Sequence, residues 1–80
     1  MPTIGREGGY RFFFYSNEGN PREPRHVHVR HGPREAKFWL RPEVVLAYND
    51  GFNARQLNEL QDLVELHRER FEGAWDDYFA

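Results

Sequence analysis

The stretch HVHVRH, His26 to His31, concentrates the residues in this chain whose types and spacing could do chemistry. Two histidines stand at i and i+2, Arg30 follows at i+4, and His31 comes next. On an extended strand, side chains two residues apart share a face and lie roughly 6.5–7 Å apart. Two imidazoles at that separation can flank a phosphodiester. One removes the 2′-hydroxyl proton, and the other protonates the leaving oxygen. Histidine, with a reference pKa of about 6.5, suits both tasks. Arg30 or Arg11 would stabilise the transition-state charge. This reading makes His26, His28 and Arg30 the candidate catalytic residues of a metal-independent ribonuclease.

The same pair could share a metal ion, because imidazole suits several first-row cations. A closed site needs a third protein ligand. The chain has no cysteine, and the nearest acid beyond His31 is Glu35. The expectation is therefore no bound structural metal and no cofactor. Three alternating histidines on a strand would also suit a nucleotide hydrolase, but the third position here is Arg30. An ordinary strand with a polar outer side is the remaining alternative. His67 stands apart: it lies on the apolar stripe of a helix and reads as a core or boundary residue.

The elements that must position these residues follow from periodicity. YRFFFYS, from Tyr10, is aromatic-rich and flanked by Gly-Gly and by the turn-rich SNEGNPREP, so it reads as a strand. RHVHVR alternates polar and apolar residues and makes a second strand. HGPRE is a turn, AKFWL a third strand ended by Pro42, and EVVLAYN a fourth. A short extra strand at Pro2–Ile4 is also allowed. The period then changes. Asn53 is an N-cap, Gln56 at N3 completes a capping box, and Phe52 and Leu57 form a hydrophobic staple. Leu57, Leu60, Val64, His67, Phe71 and Tyr78 continue at helical spacing, with Gly73 as the place for a kink. The expected fold is α+β: a small antiparallel sheet of three or four strands with one long C-terminal helix on one face. One domain spans 1–80, β-rich over 1–49 and helical over 53–79.

Alternation places Phe12, Phe14, Val27, Val29, Phe38 and Leu40 beneath the helix. The opposite face then displays Arg11, Phe13, Tyr15, His26, His28, Arg30, Lys37, Trp39 and Arg41 to solvent. Cations interleaved with aromatics suit single-stranded nucleic acid, where a base–aromatic stack contributes about 1–3 kcal/mol. Arg11, Tyr15, Arg25, His31, Lys37, Trp39 and Arg41 are the expected nucleic-acid contacts. The alternatives are a solvated face or an interface with a protein partner, including a second copy of the chain.

Composition agrees with a small folded domain. Mean hydropathy is only -0.90, yet 16% of the 80 residues are aromatic, and each buried ring removes roughly 150–250 Å² from water. Net charge is -2. Between Arg22 and Arg41, six basic residues face two acids, a local +4, while the rest carries five basic and eleven acidic residues, -6. No signal-like segment and no apolar run of membrane length occurs, so a cytoplasmic protein without a membrane partner is expected.

YRFFFYSNE, EPRHVHVR, EAKFWL, VVLAYNDGF and FEGAWDDYF, in this order, resemble a bacterial family called domain of unknown function 4160. The resemblance spans Met1 to about Phe79, with GNPREPR as a longer loop than usual. Members are often encoded beside a second family, domain of unknown function 2442, and the pair resembles a toxin–antitoxin module. The resemblance implies a cognate antitoxin-like partner encoded nearby and supplies no catalytic residues. The resulting expectation is the toxin of such a pair, acting on RNA through the basic histidine-bearing face. The runner-up is a non-catalytic module that binds nucleic acid or a partner, as a transcriptional regulator or antitoxin would.

Overall fold

A computed structural model describes residues 3–19 and 21–80. Five strands follow in chain order: β1 Thr3–Glu7, β2 Tyr10–Phe13, β3 His26–His31, β4 Arg34–Trp39 and β5 Val45–Asp50. Each pairs antiparallel with the next, so the sheet is a plain meander in the order β1-β2-β3-β4-β5. The class is α+β as expected, with five strands rather than three or four. The extra strand is β1, longer than the Pro2–Ile4 segment suggested; Pro2 itself lies outside the described residues.

Two short turns fix the register. Gly8 and Gly9, both at positive φ (56° and 86°), join β1 to β2, the backbone a two-residue type I′ hairpin demands. Gly32 at φ 58° precedes Pro33 between β3 and β4. Positive φ followed by a ring-fixed negative φ matches type II′.

The helical part begins as the sequence indicates. Asn53 Oδ1 accepts from Gln56 N at 2.8 Å, and Gln56 Oε1 accepts from Asn53 N at 3.0 Å. The expected single helix is divided in two, α1 Ala54–Leu66 and α2 Arg68–Tyr78. The division falls at His67, not Gly73, which sits inside α2 in open space. His67 leaves helical geometry where it approaches Glu7 of β1, Nε2 to Oε1 3.7 Å. Beyond it, Arg68 Nη2 donates to Pro42 O at 3.0 Å and Arg41 pairs with Glu72, which tie α2 to the β4–β5 connection.

All six residues assigned to the helix-facing side are there. Phe12, Phe14, Val27, Val29, Phe38 and Leu40 pack with Leu60, Val64, Phe71 and Trp75 in one buried cluster. The strand expected at EVVLAYN is β5. Val44, just before β5, is buried, but every residue of β5 is exposed, because β5 is the sheet's edge.

Candidate functional site

The opposite face of the sheet is not the solvent-facing surface that alternation suggested. His26 is fully buried and His28 is 2% exposed. Their side is as expected and their exposure is not: Phe13 pairs with His28 and Arg11 with Arg30, so these residues do share the second face. What covers them is the loop between β2 and β3, together with Trp75 of α2 over His26, ring centroids 4.7 Å apart, and Tyr48 of β5 beside His28. After Phe14 the chain turns through a 3-10 segment, Ser16–Glu18, and folds back beneath the sheet. The bend is held locally, since Tyr15 N donates to Glu18 Oε1 at 2.9 Å and Glu18 N donates to Tyr15 O at 3.2 Å. Glu23, further along this loop, reaches β4, where its Oε1 meets Lys37 Nζ at 3.1 Å.

Glu18 is the residue that spacing did not reveal. Its Oε2 stands 2.8 Å from His26 Nε2 and 2.6 Å from His28 Nε2. The three donor atoms lie within 4.8 Å of one another, and all three residues are buried. Burial works to raise the Glu18 carboxyl, but the two imidazole edges and the Tyr15 N–H outweigh it. The group is held well below the ordinary carboxylate range.

The far side of each imidazole is also tied. His26 Nδ1 faces Pro24 O at 2.9 Å, and a carbonyl can only accept, so Nδ1 carries the proton. His28 Nδ1 lies 3.2 Å from the Tyr48 hydroxyl, which itself donates to Glu35 Oε2. The phenolic proton is thus committed, and the Tyr48 oxygen accepts from His28 Nδ1. Glu35 also accepts from Tyr15 OH at 2.8 Å and pairs with Arg30 at 2.6 Å. Burial tends to raise Glu35, yet Tyr48, Tyr15 and Arg30 win and lower it; burial and Glu35 together push the Tyr48 hydroxyl up.

The expected basic surface is dismantled by pairing. Arg25 binds Asp76, Lys37 binds Glu23 and lies over Trp39, and Arg41 binds Glu72. Trp39 is half-buried against His26, and the Tyr15 hydroxyl is consumed by Glu35. Arg11, Arg30 and His31 remain together, and Arg6 joins them. Arg6 of β1 pairs with Arg11 of β2, which pairs with Arg30 of β3. These three guanidinium residues abreast line an open concavity of about 360 Å³, with His31, Gly9 and Gly32 as its other walls. Arg11 rests over the Phe13 ring at 4.9 Å. The His31 Nδ1 proton goes to Gly9 O at 3.0 Å.

A family model for the domain of unknown function DUF4160 matches residues 9–76, most of the chain. The chain belongs to that family. No curated protein matches it, and no solved structure does. The DUF4160 match covers the cover loop, β3 and the Glu18 cluster, and begins just after Arg6.

The two sites differ in what they can do. As a pair acting on an external phosphodiester, His26 and His28 have no route to substrate, since the loop that carries Glu18 closes over them. The arginine row is open and can hold an anion. Arg6 had one usable signal in the sequence, the Gly8-Gly9 pair that sets Arg6 beside Arg11. Glu18 had none, because its contact with β3 crosses a loop without periodicity.

Proposed function

We propose that the protein is the RNA-binding component of an operon-paired toxin–antitoxin system, acting by binding through Arg6, Arg11, Arg30 and His31. The observation that carries this reading is the in-register row of three arginines across β1, β2 and β3. Like charges directly opposite on neighbouring strands are destabilising. Among the described residues, only Arg30 of this row has a carboxylate partner, Glu35. An arrangement that is unfavourable alone becomes favourable when a polyanion lies along it, because each phosphate relieves the repulsion and releases counterions. The partner half of the proposal rests on the family resemblance.

Binding is favoured over cleavage because the histidine pair is enclosed while the arginines are open. The test is fluorescence anisotropy with a labelled single-stranded RNA across a salt series. Engagement of about three phosphates predicts a log–log salt slope near -2, and Arg11→Gln should reduce its magnitude by about 0.7. The RNA should be recovered intact. A salt-independent affinity, or an equal affinity in Arg6→Gln/Arg11→Gln, would remove the nucleic-acid reading and leave a protein partner as the ligand of this face.

A further inference from the structure

Two imidazoles and a carboxylate converge beneath the cover loop, and the hydrogen bonding around them is organised from outside. Each ligating group has its other polar atom tied down. Glu18 Oε1 accepts from the Tyr15 N–H. His26 Nδ1 donates to Pro24 O. His28 Nδ1 donates to the Tyr48 oxygen, whose own proton goes to Glu35. Metal-binding histidines characteristically donate their second ring N–H to a carboxylate, a backbone carbonyl or a water, which fixes the tautomer and aims the ligating nitrogen.

With both Nδ1 protons committed outward, each Nε2 turns either a second proton or a lone pair toward Glu18. A lone pair facing a carboxylate is repulsive unless a cation lies between them. His26 makes the point sharply. Its side chain is fully buried, and its Nε2 is 2.8 Å from Glu18 Oε2 yet has no aligned hydrogen-bond partner among the described residues. An orphaned buried nitrogen is costly, and few are tolerated in folded proteins.

We propose that Glu18 Oε2, His26 Nε2 and His28 Nε2 form a binding site for one divalent first-row transition ion, with Zn²⁺ the ion to test. Imidazole with carboxylate is the donor set for such ions, whereas Mg²⁺ and Ca²⁺ take oxygen ligands. Zinc bonds of about 2.0–2.2 Å require donors separated by roughly 3.3 Å in tetrahedral geometry. The Glu18 oxygen therefore withdraws by about 0.5 Å from His26 and about 0.7 Å from His28 as the ion enters. Side-chain exposures of 0, 3 and 8% enclose the ligands. The ion then has a structural role, pinning the Ser16–Glu18 turn to β3 across the second face. The loop that hides the histidines is the element that brings the third ligand.

The experiment uses the full chain, stripped with a chelator and titrated with Zn²⁺ by calorimetry and thermal denaturation. The expected result is one equivalent bound and a melting temperature that rises with free Zn²⁺, as ligand linkage requires. Nitrogen NMR of the wild-type imidazoles should show the Nε2 resonances of His26 and His28 shifting, while both Nδ1 stay protonated. Glu18→Gln should weaken binding at least about 100-fold, and His67→Gln should leave it unchanged. The NMR readout needs no variant, so an unfolded Glu18→Gln protein does not rescue the idea. No uptake by the wild type, uptake that persists in folded Glu18→Gln, or shifts confined to His31 and His67 would each overturn the site.

Discussion

Beneath the helices the sheet buries Phe12, Phe14, Val27, Val29, Phe38 and Leu40; on its opposite face it buries Phe13, His26, His28, Glu18 and Glu35 beneath a loop. Both faces exclude water, by opposite means. The first does so through apolar area, at roughly 25 cal/mol per Å². The second does so mostly by pairing polar groups: Glu18 answers His28, and Glu35 answers Tyr15, Tyr48 and Arg30. Desolvated polar groups add little net stability even when satisfied, but each is expensive to orphan. The apolar face should therefore carry most of the folding free energy, while the polar face fixes the path of the loop.

The largest expected effect breaks the apolar side. Phe12 is fully buried and its ring meets Phe71 at 5.0 Å. Phe12→Ala should cost about 3–5 kcal/mol. For a domain of this size that corresponds to a fall in Tm of at least about 12 °C by circular dichroism. A fall of only a few degrees would mean that the second face holds the fold.

Next comes the polar side, where single and combined changes should disagree. In chelator-treated protein, Glu18→Met should cost about 1–3 kcal/mol in urea denaturation, because it orphans His28 Nε2. Replacing the whole cluster, Glu18→Met with His26→Leu and His28→Leu, should recover most of that loss, as apolar replacement of buried polar sets often does. Additive losses across the three positions would show that the network is itself a stabiliser, and would erase the distinction between the two faces.

The contrast also explains what could be read from the chain. Period-2 alternation in HVHVR and the change to helical spacing after Asn53 are local signals, and they gave the strands, the helix start and the apolar core. Alternation assigns a residue to a side of the sheet but says nothing of what covers that side. For this reason alternation alone sets His26 and His28 on the correct face but in the wrong environment. The covering depends on Glu18 meeting a strand that begins eight residues later, across Gly19, Pro21 and Pro24, which carry no period. Charges were similarly misleading: Arg25, Lys37 and Arg41 cluster in sequence, yet each is neutralised by an acid from a distant or looping segment.

The helix cap is a third region, neither face, and its effect should be intermediate and local. Asn53→Ala removes the acceptor for Gln56 N and should cost about 1 kcal/mol. Amide exchange checks this: protection should fall at the first turn of α1 and remain unchanged at His28. Loss of protection at both would mean that α1 and the cover loop unfold as one unit.

The smallest expected effect separates the charge patch of the sequence from the arginine row of the fold. Arg25 and Arg11 have the same side chain, and both lie in the region marked for nucleic-acid contact. Arg25 is bound to Asp76 at 2.8 Å with both side chains about half exposed, while Arg11 faces its neighbours Arg6 and Arg30. An exposed ion pair contributes about 0.2–1 kcal/mol, so Arg25→Ala should shift stability by no more than that. It should also leave RNA affinity within about twofold and the salt slope unaltered, because Asp76 already neutralises the charge. Arg11→Ala, measured beside it, should lower both. Equal losses from the two variants would mean that RNA runs past the row and over the cover loop toward α2. The binding surface would then be the broad basic face that the sequence suggested.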